Sequence, residues 1–254
     1  MKRDFVIIGA GPAGMAAATQ AAELGLYVTV LDEQLRAGGQ IYRDVDRASK
    51  SLGNILGADY TDGARLTKHL RQSGVEHISG AVVWAIEDEF RISYTCEGRG
   101  AQIEADRILL ATGALERPMP IPGWTLPGVM TAGAGQILLK QSGVVAQNAV
   151  LVGAGPLLYL IGAQMVRAGT PPAAMVETQT RSDMIRGLRH VGGALQGWRY
   201  MAKGLGMLAE IKRAKVPRYT GATGIGIEGE GKAEVVTFTH NGRTQRIACE
   251  TVFL

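Results

Sequence analysis

Cysteine is nearly absent from this chain of 254 residues: Cys96 and Cys249 are the only two, and they lie far apart. Such a pair builds no C-x-x-C dithiol, no disulfide framework and no zinc pattern. Both fall in strand-like segments, where a free thiol packs as a small apolar side chain. No apolar run reaches the length of a membrane span. Net charge is small, with 27 Lys and Arg against 23 Asp and Glu. Met1-Lys-Arg-Asp leads straight into a strand, so no signal peptide is expected and a cytoplasmic location follows. At 46% hydrophobic and 20% charged residues the composition is that of a globular protein with room for one or two domains. The histidines, His69, His77, His190 and His240, are scattered among different elements with no paired base, so no catalytic residue can be named.

Basic residues do concentrate in one place. Arg181 to Arg218 holds nine Lys and Arg against Asp183 and Glu210. A solvated helical face is the ordinary reading of such a run. Docking to another subunit, or peripheral association with an acidic membrane face, is the sharper one. No recognised motif accompanies the charge, so nucleic acid is not an expected partner.

Glycine, by contrast, is arranged. Gly9-Ala10-Gly11-Pro12-Ala13-Gly14 follows the apolar run Phe5–Ile8 and precedes an Ala-rich helical stretch. In this pattern Gly9 permits the tight turn out of the strand. Gly11 lets the backbone approach a pyrophosphate, and Gly14 lets helix and strand pack closely. The helix N-terminus offers free N–H groups and partial positive charge to phosphates. A strand is expected at 27–31, ending at Asp32, eighteen residues past Gly14. A carboxylate there accepts hydrogen bonds from ribose hydroxyls. Glu33 takes that place if the strand end shifts by one. The acidic residue also speaks against a 2′-phosphate.

Gly153-Ala154-Gly155-Pro156-Leu157-Leu158 repeats the pattern 144 residues later. Around it the plan repeats as well. The first half reads as strand 5–8, helix 12–24, strand 27–31, an irregular stretch over 35–60, helix 62–73, a three-stranded antiparallel meander over 81–104, and strand 107–110. The second reads as strand 149–152, helix 156–168, strand 173–176, meander strands at 224–228, 233–239 and 244–247, and the final run 249–254, which aligns with 105–110. Four prolines and two glycines between Pro118 and Gly128 mark a connector. The expected fold class is therefore α/β, with two Rossmann-like dinucleotide-binding domains carrying antiparallel meanders. The first covers 1–117, with 246–254 beginning a strand that returns to it. The second, 118–245, is inserted into the first, which is left incomplete at its C-terminal end.

Gly38-Gly39-Gln40, the meander and Ala111-Thr112-Gly113 together resemble the FAD domain of the two-dinucleotide-binding flavoproteins, the glutathione- and thioredoxin-reductase-like superfamily. The resemblance covers essentially the whole chain. It implies FAD at the first fingerprint, held by Gly9, Gly11, Pro12, Ala13, Gly14, Asp32 or Glu33, Gly39, Gln40 and Ala111-Thr112-Gly113. It also implies a backbone contact to adenine from Val82 or Val83. Asp32-Glu33-Gln34, Gly38–Arg43, Ala111–Pro118 and Ile121–Gly133 are more specific. They resemble the FAD subunits of bacterial amine and amino-acid dehydrogenase complexes, such as opine oxidase, hydrogen cyanide synthase and hydroxyproline dehydrogenase. That group implies a small-molecule amine or amino-acid substrate, a second flavoprotein subunit and an iron–sulfur subunit. The family's second Gly-Asp segment is not found in these 254 residues.

Leu158 stands where an NAD(P) site wants a small residue, which argues against NAD(P) at the second fingerprint. Glu177 ends the strand that follows, in the position of a ribose acceptor. The leading expectation is an FAD-dependent oxidoreductase subunit within a hetero-oligomeric complex. An NAD(P)H-dependent flavin reductase without a redox dithiol is one alternative, and a non-catalytic or degenerate scaffold subunit is the other. No metal site is expected.

Overall fold

The computed structural model describes residues 2–187, 189 and 191–254; His190 lies outside the described residues. The chain divides into two compact units, Met1–Leu115 and Glu116–Leu254. Each contains one parallel sheet and one three-stranded antiparallel sheet.

In the first unit Phe5–Ile8 lies at the centre, paired in parallel with Val28–Asp32 on one side and Ile108–Leu110 on the other. Glu76–Ser79 adds the far edge beside Val28–Asp32. Val6, Ile7, Val30 and Leu31 are fully buried, because a sheet covered on both faces takes continuous apolar strands. Helix Pro12–Glu23 covers one face through Met15, Ala18 and Ala21. The meander of Val82–Glu87, Arg91–Cys96 and Arg99–Glu104 covers the other through Ile92, Tyr94 and Ile103. The strand at Glu76–Ser79 escapes the sequence pattern because it is a four-residue edge carrying Glu76 and His77, too polar and short to read.

The second unit repeats this order. Ala149–Gly153 is central, between Ala174–Glu177 and Thr251–Phe253. Arg218–Thr220 forms one edge. Val129–Met130 forms the other, pairing in parallel with Thr251–Phe253. Helix Pro156–Arg167 packs on this sheet, and Thr223–Glu228, Val235–His240 and Arg243–Ala248 form the meander.

Three features differ from the expectation. Thr251–Phe253, expected to begin a strand returning to the first unit, lies in the second sheet instead. Val252 and Phe253 are buried in that unit's core, so the segment is the counterpart of Ile108–Leu110 within its own repeat. The proline-rich stretch is not a free connector. Pro122 and Pro127 carbonyls accept from Ile227 N and Ala233 N at 2.8 Å, strapping it along the second unit's meander. Helix Ala132–Ser142, hidden by Gly133 and Gly135, starts with a Thr131 cap and with Gly133 N donating to Glu116. The basic stretch forms helices Arg181–Gly187, Val191–Gln196 and Trp198–Arg213. No helix among the described residues is long and apolar enough to cross a membrane.

Candidate functional site

Three chain segments meet, backbone against backbone, at the C-terminal end of the first parallel sheet. The glycine turn is held by Gly9 N donating to Leu31 O at 2.7 Å. A Cβ on Gly9 (φ +106°) would lie 2.4 Å from the Ala111 carbonyl oxygen, and one on Gly14 would lie 1.9 Å from Gly9 O. The loop after Asp32 closes onto the same turn. Gly38 N donates to Ala10 O at 2.8 Å, and a Cβ on Gly39 (φ +59°) would come within 2.9 Å of Gly11 Cα. Ala111 N donates to Ile8 O at 2.8 Å, and Gln40 Nε2 donates to Ala114 O at 3.2 Å, joining the loop to the end of the last strand.

Gly11 is the exception among these glycines. A Cβ there would meet no atom closer than 3.9 Å, so packing within the protein does not require glycine at this position. Gly11 is the N-cap of helix Pro12–Glu23. That helix has Pro12 in its first turn, no side-chain cap and no acidic residue there. Its first N–H groups and its dipole are left for an anion. Helix Ala132–Ser142 makes the contrast, since the Glu116 carboxylate accepts from Gly133 N and Thr131 Oγ1 from Ala134 N.

The two acidic residues at the strand end separate in role. Asp32 is buried; Ala10 N donates to one of its carboxylate oxygens, and Gln34 N donates to the other at 2.7 Å. It ties the glycine turn to the following loop. The strand runs Val28–Asp32 and ends at Asp32, and Glu33, the residue after it, is exposed to solvent. Among the described residues, Glu33 receives only the Gln34 side-chain amide at 3.0 Å. Val83 is half-buried against the core, and the register shifts between Val83 and Ala85, leaving Trp84 as an extra residue in the strand. Thr112 and Gly113 are exposed beyond the last strand, with Gly113 at φ +77°.

The second fingerprint is built differently. Gly153 (φ +138°) and Gly155 (φ +104°) need their conformational freedom, yet a Cβ on either would meet nothing within 4 Å. Leu158, in the place of Gly14, is buried with Leu151, Ile161 and Phe253, so helix and strand are held apart by a side chain. Glu177 is only 2% exposed. Arg218 grips it with two hydrogen bonds, Nε at 2.7 Å and Nη2 at 3.0 Å, and Tyr159 OH donates to it at 2.7 Å. The guanidinium also sits 5.3 Å from the Tyr159 ring centre. Burial, and then the neighbouring Glu177, push the Tyr159 phenol up to about 12. Arg218, held by Glu177, is raised further above its already high value. The carboxylate that would meet a ribose is thus consumed by the protein. Arg218 lies 41 residues from Glu177 and on a different strand, so no sequence spacing announces this pair.

No group of three or more potential metal ligands occurs among the described residues. Burial lowers His77, and neither His77 nor His240 is paired with another titrating group in a catalytic arrangement.

Residues 3–254 match the family of pyridine nucleotide-disulphide oxidoreductases. The chain belongs to this family. It is 42% identical to a subunit of opine oxidase from Agrobacterium tumefaciens (strain Ach5), over 99% of this chain and 51% of that protein. Hydrogen cyanide synthase subunit HcnB of Pseudomonas aeruginosa is 35% identical over 91% of this chain and 50% of the relative. The chain thus spans about half the length of these curated relatives. Among solved structures, L-proline dehydrogenase from P. horikoshii superposes with a TM-score of 0.67 at 17% identity, covering all of this chain and 42% of that one. Thioredoxin reductase from Lactococcus lactis gives 0.63 at 20% identity, over 99% of this chain and 76% of the other. At those identities the likeness shows the fold, the two-dinucleotide-binding architecture. The first half displays the strand–glycine turn–helix unit of that architecture in full, and the second half keeps its outline.

Proposed function

We propose that this chain is the FAD-binding part of an oxidoreductase subunit that acts on an amine or amino-acid substrate within a hetero-oligomeric complex. The observation that carries the reading is the junction of Gly9, Gly39 and Ala111 beside an uncapped helix N-terminus, with room for a Cβ at Gly11 where Gly9, Gly14 and Gly39 have none. The pyrophosphate would lie against Gly11, Pro12 and Ala13, where free N–H groups and the helix dipole favour a dianionic group. Glu33, rather than Asp32, would accept from the adenosine ribose, because both Asp32 oxygens already hold backbone amides. Val83 would offer its backbone to adenine near the strand irregularity. Gly39, Gln40, Thr112 and Gly113 would border the ring system. When bound, FAD supplies the electron-accepting chemistry for oxidising a C–N bond, while the protein positions it and excludes competing reactions.

The relatives, named as subunits of opine oxidase, hydrogen cyanide synthase and sarcosine oxidase, support the substrate class and a multi-subunit setting. A second flavoprotein subunit and an iron–sulfur subunit are the partners we infer. NAD(P) is not the acceptor in this reading. Leu158 and the Tyr159–Glu177–Arg218 cluster speak against it, and with it against a nicotinamide-dependent flavin reductase.

The test is spectroscopic. Titrating FAD into the purified chain should give saturable binding and a resolved flavin absorption band, weakened in Glu33→Gln. NADPH should produce neither binding nor bleaching. Saturable NADPH binding, or FAD binding that ignores substitutions at Gly11 and Glu33, would overturn the assignment.

A further inference from the structure

Two buried aspartates of the first unit each hold one piece of the backbone that meets at the glycine junction. Asp32, 8% exposed, ties down the glycine turn through Ala10 N and Gln34 N. Asp44, 7% exposed, stands at the far end of the loop that carries Gly38, Gly39 and Gln40. Its carboxylate accepts from Arg36 Nη1, at the near end of the same loop, and forms an ion pair with Arg47 Nε at 3.1 Å. An ion pair between residues eight apart thus closes the loop.

The geometry of Asp44 serves this contact. It is the N-cap of helix Val45–Leu56, where an aspartate ordinarily accepts from the first helical amides, yet its side chain makes no capping bond. Its backbone sits at φ +57°, in the left-handed region that Asp and Asn enter more readily than other side chains, and the carboxylate is given to the guanidinium groups instead. The far end of the loop is fixed on other sides too. Tyr60 OH donates to Arg43 O at 2.6 Å. Asp46 accepts from Thr67 Oγ1 at 2.8 Å and Arg71 Nη1 at 2.6 Å, joining helix Val45–Leu56 to helix Ala64–Gln72. The near end borders open space. A cleft of about 640 Å³ is lined by Leu35, Arg36 and Ala37 on the loop and by Leu70, Val75 and His77 from the segment that follows. Leu35 is exposed, so apolar packing does not set the position of this end, and the Arg36–Asp44 pair does.

We infer that Asp44 is a positioning residue for the flavin end of the cofactor: by holding Arg36 it fixes the loop that presents Gly39 and Gln40 to the ring system. The inference rests on the assignment of FAD to this site. Asp32 serves the other end, since the turn that takes the pyrophosphate is held by Gly9 N on Leu31 O and Ala10 N on Asp32, and neither bond involves Asp44. Loosening the loop therefore adds an ordering cost to binding of FAD but not to binding of ADP, which has the adenosine and diphosphate without the ring. Removing the Asp44 charge strands no buried charge, because the Arg36 and Arg47 side chains are 55% and 65% exposed and stay hydrated.

Calorimetric titration of FAD and of ADP into the 254-residue chain and its variants tests this. Asp44→Asn keeps a residue suited to the left-handed region, and Arg36→Met alters a side chain outside the core, so ADP affinity should report both as folded. Each should weaken FAD binding about ten-fold, the size of one lost charge-assisted hydrogen bond, and leave ADP binding within about two-fold. The double variant should be no worse than either single one, because both act through one contact. Arg47→Met, on the helix rather than the loop, should leave FAD binding within about two-fold. The visible band of bound flavin should lose its resolved shape in Asp44→Asn and Arg36→Met and keep it in Arg47→Met. Unchanged FAD binding and band shape in Asp44→Asn and Arg36→Met, equal weakening of FAD and ADP, or an Arg47→Met effect as large as that of Arg36→Met would overturn the inference while the cofactor assignment stands. A parent chain that binds neither nucleotide would defeat that assignment and this inference with it.

Discussion

A Cβ on Gly9 would sit 2.4 Å from the carbonyl oxygen of Ala111, whereas a Cβ on Gly153, its counterpart 144 residues on, would touch nothing within 4 Å. The two turns share a sequence pattern and a positive φ but differ in what surrounds them. Gly9→Ala should therefore destabilise the fold by about 3 kcal/mol or more, combining left-handed strain with a backbone collision. Gly153→Ala should cost only the conformational part, about 1–2 kcal/mol. Urea denaturation of the two variants would show the difference, and equal effects would contradict the asymmetry.

Asp32 and Glu33 should respond in opposite ways. Asp32→Ala strands the Ala10 and Gln34 amides and should lower stability by roughly 2–3 kcal/mol. Glu33→Gln leaves every backbone bond in place. It should unfold like the parent but bind FAD about ten-fold more weakly, as expected when a charged acceptor of a ribose hydroxyl is lost. Calorimetric titration beside a denaturation curve separates the two effects.

Removing Arg218 should be costly. Arg218→Met leaves the Glu177 carboxylate, 2% exposed, without its cation. Breaking one side of a buried pair typically costs about 3–5 kcal/mol. Glu177→Gln combined with Arg218→Met should recover most of that loss, because no buried charge is then left over. A double-mutant cycle measures the recovery.

Tyr159 gives a pH signature. Its phenol is raised in the folded state to about 12, from an ordinary value of 10.0. The folded protein therefore holds this proton where the unfolded chain releases it. The resulting stability is complete below pH 10 and disappears as pH climbs through 12. Burial raises the Tyr60 and Tyr94 phenols as well, so absorbance titration at the tyrosinate band should show several late-titrating groups, one fewer in Tyr159→Phe, and the variant's stability should fall less steeply over that window.

Leu158→Gly would restore the glycine spacing of the second fingerprint. It should nevertheless fail to create NADPH affinity, since Glu177 stays bound to Arg218 and Tyr159. Emptying the Leu158 site, between Leu151, Ile161 and Phe253, should instead cost about 3–5 kcal/mol. NADPH binding by this variant would show that the helix–strand spacing alone closes the site.

Much of the architecture could be read from local chemistry. Gly9, Gly11 and Gly14 between an apolar strand and an Ala-rich helix can form little else, because strand period, turn geometry and helix packing all agree there. The 144-residue offset showed two copies of one plan and placed both meanders. Glu76–Ser79 and helix Ala132–Ser142 were hidden, the first by polar residues on a short edge strand and the second by Gly133 and Gly135, which the close approach of Glu116 and Phe253 requires. What sequence alone determined were the contacts settled within a few residues: turns, caps and buried strand faces. Tertiary structure decided the contacts between segments distant along the chain. It turned Asp32 inward onto Ala10 and released Glu33, and it brought Arg218 across to occupy Glu177. It also placed Thr251–Phe253 in the second sheet. Each of these depends on which strands become neighbours, and that choice is made by burial of whole faces rather than by any local spacing.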